Sequence, residues 1–186
     1  MNLHYTITFY SPWHCGSGLS AGADVDVLVV KDAEGLPYVP GKTLKGLLRE
    51  AVEDYTALSG LDVESVVSNV FCRPQDGSAY QNPTFFSDAK LPERERKAII
   101  AAQAQRFLYQ GVSRTAINER GVAEEHSLRR IETVVPCTLE ATLYNVPEEA
   151  VELFHKGMGM VKHIGLGRSR GLGRCELTFI EKGGNE

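Results

Sequence analysis

Alternation of apolar and polar residues at the two ends of the chain constrains the fold most. Apolar side chains occupy every second position from residue 3 to 9 and again from residue 175 to 179. A period of two is typical of a strand with one buried and one solvated face. Both ends of the chain are therefore predicted to be strands that bury one face.

Two stretches between these strands have helical spacing instead. Apolar residues at helical intervals predict a helix over 43–58, which Gly60 ends. A second helix is predicted from Pro147, followed at once by acidic residues, to His163. Further strands are predicted at 25–30, 84–87, 128–135 and 137–144, with a hairpin at Pro136 as one option for the last two. This order predicts an α+β fold with a ferredoxin-like or RRM-like sheet, in one domain spanning residues 1–186.

Two connections are long for a chain of 186 residues. Residues 61–92 are interpreted as a mostly irregular insertion, rich in Gly, Asn and Pro at its centre, and 92–109 as a helix. Residues 110–130 are polar with a turn near 118–121, which indicates a protruding hairpin. Long connections of this kind in compact domains are usually functional or mobile.

Composition excludes several classes of protein. The four cysteines lie far apart without a Cys-x-x-Cys pair, which excludes a zinc ribbon and favours free, mostly buried thiols. No apolar run approaches the roughly 18 residues of a membrane span, and the first residues lack the pattern of a signal peptide. We therefore expect a cytoplasmic protein with no membrane partner.

The distribution of charge is more informative than its sum of −4. Residues 155–174 contain two Lys, three Arg and two His but no acidic residue, whereas the acids gather in 50–64, 93–95 and 119–125. This separation predicts one basic face on an otherwise acidic body.

Two segments combine glycines with basic side chains. One is Gly41-Lys42-Thr43 at the start of the first predicted helix, and the other is the loop 165–173. Glycine lets a backbone approach a polyanion closely, and Lys or Arg neutralises phosphate charge, so both segments predict contacts with RNA. A P-loop is excluded because its first glycine would fall on Leu36. A dinucleotide site is excluded because the loop 165–173 follows a helix and precedes a strand.

With these segments in place, the chain resembles the RAMP superfamily of CRISPR effector proteins, and within it the repeated backbone subunit of type III complexes. The similarity is carried by residues 11–18, 26–46, 86–89, 114–136 and 165–173. It implies an RRM-like core with a lid inserted at about 61–92 and a thumb hairpin at about 110–130. It also implies copies that stack head to tail on a guide RNA, together with other RAMP subunits and a large effector subunit.

The same resemblance implies that each copy cuts paired, single-stranded target RNA at regular intervals with an aspartate. Asp26 matches this aspartate, and Asp24, two residues away, is the alternative. The carboxylate would assist attack of a ribose 2′-hydroxyl on the scissile phosphate, as general base or by holding Mg²⁺ with RNA phosphates and water. Two other readings stay open: a non-catalytic scaffold or cap subunit, and an endonuclease that processes guide precursors with His14.

The residues predicted to bind RNA share a basic side chain, a hydroxyl or a glycine near one. They are His14, Gly16, Gly18, Lys42, Thr43, Lys45, Arg49, Arg114, Arg129, Arg130, Gly165, Gly167, Arg168, Ser169, Arg170 and Gly171.

Overall fold

The computed structural model describes residues 1–19, 27–60, 64–71, 83–125 and 127–180. The strands are β1 Leu3–Phe9, β2 Tyr38–Val39, β3 Phe85–Phe86, β4 Ala89–Lys90, β5 Tyr109–Arg114, β6 Arg129–Val134, β7 Thr138–Tyr144 and β8 Cys175–Phe179. The helices are α1 Gly41–Ser59, α2 Glu64–Phe71, α3 Glu93–Ala101 and α4 Val151–Met160. Short 3₁₀ turns lie at Gln105–Leu108, Glu148–Ala150 and Arg168–Arg170.

Strand β1 lies inside the main sheet and pairs antiparallel with β7 on one side and β8 on the other. The register of the three strands can be given at Ile7, which lies opposite Leu139 of β7 and Leu177 of β8. The sheet order is β2-β4-β7-β1-β8, with β3 also paired to β7. Taken as β1-α1-β4-β7-α4-β8, the chain has the ferredoxin-like connectivity, and the predicted α+β class is confirmed.

The alternation predicted for β1 places one set of its side chains in the core. Tyr5 and Ile7 are fully buried, in the same cluster as Leu48 of α1 and Phe154 of α4. Burying an aliphatic or aromatic side chain of this size stabilises a fold by about 1.5–3 kcal/mol. Helix α1 matches its prediction closely and ends at Gly60, which adopts a left-handed conformation.

The structure differs from the sequence predictions in three of the connections. Strand β6 pairs with β5 in a separate two-stranded sheet, so the hairpin at Pro136 is wrong, and β7 pairs with β1 instead. Residues 64–71 form α2, and its Phe71 packs against Phe86 and Phe154 with ring centroids 5.6 and 5.8 Å apart. An eight-residue segment gives no decisive periodicity, which is why the sequence pointed to irregular structure there. The helix predicted over 92–109 ends at Ala101.

Other parts of the predicted connections agree. The β5–β6 hairpin is the thumb, and its tip turns at Asn118, which accepts a hydrogen bond from the amide of Gly121. One further prediction is wrong, because residues 27–30, the described part of the strand expected at 25–30, form only isolated bridges. None of the described helices is long and apolar enough to cross a membrane.

Helices α1 and α4 pack closely at Gly157. A Cβ atom built there would lie 2.7 Å from Cγ2 of Val52, a β-branched side chain with little freedom to move, whereas one built at Gly159 meets nothing within 4 Å. The glycine at 157 is therefore needed for packing, and the one at 159 is not.

We predict opposite effects of alanine at these two positions. Gly157→Ala should lower the free energy of unfolding by about 1–3 kcal/mol because α1 and α4 must separate. Gly159→Ala should raise it by about 0.5–1 kcal/mol, since alanine favours the helix. Urea unfolding followed by the fluorescence of Trp13, the single and fully buried tryptophan, measures both. Equal losses in the two variants would contradict the packing argument.

Candidate nucleic-acid interface

The glycine loop, residues 165–173, is held against the segment that follows β1. The amide of Leu166 donates to the carbonyl of His14 at 2.8 Å, and the amide of Gly173 donates to the carbonyl of Pro12 at 2.8 Å. A Cβ atom at Gly165 would overlap the His14 carbonyl oxygen, and φ of Gly165 is 94°, a value that favours glycine. The glycine at 165 thus serves the packing of the loop, while the side chains of Arg168 and Arg170 are exposed.

The thumb comes to lie beside this loop. A Cβ atom at Gly167 would be 3.1 Å from both terminal nitrogens of Arg114, so the guanidinium of Arg114 rests on the loop. Between them is a groove of about 1280 Å³. Its walls include Val27, Arg114, Arg129, Leu166, Ser169 and Arg170. We call this the thumb groove.

The thumb groove carries free positive charge. Within the described residues, the guanidinium groups of Arg114, Arg129 and Arg170 make no ion pair or hydrogen bond. Glu124 and Glu125 also line the groove, on the side of the thumb tip. Three such guanidinium groups around one groove can bind the phosphates of a polyanion, each by donating two parallel hydrogen bonds to phosphate oxygens.

The predicted catalytic residues Asp24 and Asp26 lie outside the described residues, but the chain on either side is placed. Residues 15–19 and 28–30 run antiparallel as two arms, with the amide of Val30 donating to Cys15 and that of Ser17 to Leu28, at 2.8 and 2.9 Å. Val27, which directly follows Asp26 in the sequence, lines the thumb groove. The described chain after Asp26 therefore begins at the groove wall, with Val27.

The carboxylate of Glu132, which was not predicted as a site residue, holds the second arm in place. Glu132 of β6 accepts the amide of Val29 at 3.0 Å through Oε2 and the ammonium of Lys31 at 2.8 Å through Oε1. The Lys31 ammonium also lies 4.1 Å from the ring centroid of Tyr109. Burial, followed by the negative charges of Glu132 and Asp32, raises the pKa of Tyr109, whose protonated hydroxyl donates to the Gly35 carbonyl at 2.6 Å. A lone acid among the β-branched residues of the run 131–135 was the only available signal for Glu132.

The helix start that drew attention in the sequence lies apart from the thumb groove. The amide of Gly41 donates to Oδ1 of Asp88 at 2.8 Å, so a carboxylate of the protein already interacts with the positive end of α1. A Cβ atom at Gly41 would overlap the Phe86 carbonyl, so the glycine is a packing residue. Lys42 is exposed, and Thr43 and Lys45 are half-buried beside it, none of them lining the thumb groove.

Other predicted RNA contacts are scattered. Arg49 pairs with Glu53 at 2.9 Å on α1. Arg168 lines a second cleft of about 360 Å³, which Glu50 and Asp54 share. The guanidinium of Arg130 packs over Gly111, whose added Cβ atom would lie 2.5 Å from Nε. Gly16 and Gly18 are exposed on the first of the two antiparallel arms, and Gly171 is exposed in the glycine loop.

His14 belongs to the protein interior. Its side chain is 1% exposed, and its Nδ1 donates to the carbonyl of Glu132 at 2.6 Å. Its Nε2 has no partner within the described residues and lies near Gly16, whose added Cβ atom would be 3.2 Å away. In this arrangement the imidazole cannot touch RNA, in contrast to the sequence prediction.

An ion cluster fixes the turn that precedes β2. Asp32 accepts the amides of Glu34 and Leu36 at 3.0 and 2.9 Å through one oxygen and a guanidinium nitrogen of Arg96 at 2.8 Å through the other. Burial alone would raise the pKa of Asp32, but these hydrogen bonds and the charge of Arg96 together hold that pKa below its ordinary value. Arg96 also contacts Glu34 and, at 3.8 Å, Glu93.

Fold and site together define a ferredoxin-like protein with a basic groove between a thumb hairpin and a glycine loop. The sequence model of the RAMP superfamily matches residues 6–176, and the chain belongs to this superfamily.

Solved structures share the fold at low sequence identity. A chain from the cryo-EM structure of the type III-B Cmr-beta bound to cognate target RNA is 12% identical, with a TM-score of 0.71 over 96% of this chain and 97% of that one. A chain from the apo state of the type III-B Cmr-beta is 13% identical, with a TM-score of 0.71 over 98% of each chain. No curated protein matches the sequence.

We predict that the Asp32–Arg96 pair makes stability depend on acidity. Asp32→Asn keeps the acceptor for the two amides but loses the charge, and should lower the free energy of unfolding by about 2 kcal/mol at pH 7. Because the folded-state pKa is depressed, this contribution is present above the unfolded-state value of about 3.9 and is lost as pH falls through the folded-state pKa. Urea unfolding of the wild type and the variant from pH 7 to 3 tests this.

The matched control is Lys97→Met, which breaks the exposed pair of Lys97 and Glu93 at 3.4 Å. It should change stability by less than about 0.5 kcal/mol at any pH. A difference between wild type and Asp32→Asn that stays constant down to pH 3 would contradict the assignment.

Proposed function

We propose that the protein is a backbone subunit of a type III CRISPR ribonucleoprotein effector, in which the thumb groove binds guide RNA. The observation that carries the proposal is a set of three arginines that line one groove of a RAMP-superfamily chain and whose guanidinium groups have no partner among the described residues. The similarity in fold to chains of the type III-B Cmr-beta, one of them bound to cognate target RNA, supports the same assignment.

The groove suits recognition of the RNA backbone rather than of base sequence. Arginines bind phosphate by charge and geometry without reading base edges. Leu166 and Ile117, 47% and 67% exposed, line the same groove and offer apolar contacts to sugars or bases. A subunit that must accept guides of any sequence requires this combination of charge and unspecific apolar contact.

We further propose that the subunit cleaves target RNA that pairs with the guide. Asp26, next to the groove residue Val27 in the chain, would assist the 2′-hydroxyl oxygen in attacking phosphorus as the 5′-oxygen leaves. Within the described residues no group of three or more acidic, histidine or cysteine side chains could hold a metal ion. A Mg²⁺ ion would therefore depend on Asp26 with RNA phosphates and water, and its chemistry would be to stabilise charge on the phosphoryl oxygens.

The two alternative functions would depend on different residues of the chain. A scaffold or cap subunit would use the thumb groove for RNA but would not need Asp26. Guide processing by His14 is not favoured, because the imidazole is buried and bonded to a backbone carbonyl. As partners we propose guide RNA, single-stranded target RNA, further copies or other RAMP subunits joined head to tail, and a large effector subunit.

We predict that each arginine of the thumb groove contributes to binding of RNA through charge. Arg114→Ala, Arg129→Ala and Arg170→Ala should each weaken guide binding by a similar factor for unrelated guide sequences. Each should also reduce the slope of log affinity against log salt by about 0.7–1. Fluorescence anisotropy over a salt series measures both quantities.

The control variant is Arg94→Ala, an exposed arginine of α3 that does not line the groove. It should leave affinity and slope unchanged. Equal losses for Arg94→Ala, or unchanged slopes for the three groove variants, would argue against the groove as the RNA site.

We predict that target cleavage depends on Asp26 and on Mg²⁺. In the guide-loaded complex, Asp26→Ala should lower the single-turnover cleavage rate by at least about 100-fold without weakening guide binding, because only the chemical step uses the carboxylate. Asp24→Ala should cleave like the wild type, and EDTA should abolish cleavage. A wild-type complex that binds guide tightly and leaves the target intact would instead indicate a scaffold.

A further inference from the structure

On the side away from the first arm, the second arm lies beside β6, with an isolated parallel bridge between Val27 and Ile131. Along the second arm, Leu28 and Val30 direct their amides to the first arm, at Leu19 and Cys15. The amide of Val29 points the other way and is satisfied by the carboxylate of Glu132. Beyond the bridge at Val27, the arm is thus attached to β6 through a carboxylate side chain, at a position where a regular sheet would use a backbone carbonyl.

The attachment is reinforced at both ends. Towards Asp26, the amide of Glu132 donates to the carbonyl of Val27 at 3.1 Å. At the far end, the ammonium of Lys31 binds the same carboxylate and lies over the ring of Tyr109. Tyr109 and Glu132 belong to β5 and β6, the two strands that carry Arg114 and Arg129.

The charges of Lys31 and Glu132 stabilise each other. The side chains of Lys31 and Glu132 are 33% and 16% exposed, so both are partly removed from water. A half-buried carboxylate without its cation would turn towards solvent and release the amide of Val29, because desolvating a lone charge is costly. The Lys31 ammonium therefore holds the Glu132 carboxylate in place, and the carboxylate holds the arm.

We propose that Lys31 and Glu132 are positioning residues for target cleavage: together they fix the chain that leaves Asp26 against the base of the thumb. The inference rests on the proposed nuclease function. Neither residue needs to touch RNA for this role. The expected consequence is a selective loss of the chemical step, since a displacement of about 1 Å at a reacting group can cost 100-fold in rate.

The experiment compares Lys31→Met, Glu132→Gln and the double variant in the guide-loaded complex. Lys31→Met keeps the apolar stem and removes the charge. We expect each single variant to lower the single-turnover rate at saturating target by about 10- to 100-fold, with guide and target affinities within about twofold of wild type. Because the two side chains act as one unit, the double variant should be no slower than the slower single variant.

Two further variants separate positioning from loss of structure. Lys31→Arg keeps a cation that can pair with the carboxylate and stack on Tyr109, and should retain the wild-type rate within about threefold. Lys97→Met removes a lysine from an exposed ion pair away from the thumb and should change neither rate nor affinity. Hydrogen exchange of peptides covering residues 27–31, measured in the assembled complex, should accelerate in Lys31→Met and Glu132→Gln but not in Lys97→Met.

The outcomes distinguish this inference from the proposed function. Wild-type rates in Lys31→Met and Glu132→Gln, in a complex whose cleavage still requires Asp26, would overturn the positioning role and leave the nuclease function intact. Absence of cleavage by the wild type overturns both. Selective loss of rate with faster exchange at 27–31, restored by Lys31→Arg, supports the positioning role.

Discussion

The pairing of β1 with two strands from the far end of the chain is the constraint on which the rest of the structure depends. Because β1 bonds to β7 and β8 along its length, residues 3–9 are held between segments more than a hundred positions later. The segment that leaves β1 then runs beside the glycine loop and binds it through the carbonyls of Pro12 and His14. The groove between loop and thumb therefore takes its shape from the register of β1.

Local patterns in the sequence were sufficient to predict the long strands and helices of the core, but not α2 and not all of the strand partners. Alternation around Ile7 and helical spacing in α1 reflect a single buried face each, and both predictions are confirmed. The partner of β6 was not predictable, because β6 has the same local pattern whether it pairs with β5 or with β7. The confirmed α+β class therefore came from the order of elements, and the pairing of β6 with β5 in the thumb came only from the structure.

Within the candidate site, the sequence predicted residue types better than their surroundings. Arg114, Arg129 and Arg170 do meet around one groove, although they are far apart in the chain. Gly41 and Gly165, by contrast, are explained by close approach to backbone carbonyls of the protein itself. Glu132 and Asp88 were missed because a carboxylate that receives backbone amides looks in sequence like any surface acid.

The thumb has a mechanical consequence that follows from where its base joins the segment after β1. Its two strands pair with each other, and β6 meets the segment after β1 through reciprocal hydrogen bonds between Trp13 and Val134, at 3.0 and 2.8 Å. From Val134 to Arg129 the strand extends about 17 Å, and Glu132, which lies between them, ties it to Val29 and Lys31. Trp13 stacks on Phe9 with ring centroids 4.6 Å apart. A force on the tip of the thumb is therefore transmitted through Trp13 to the end of β1.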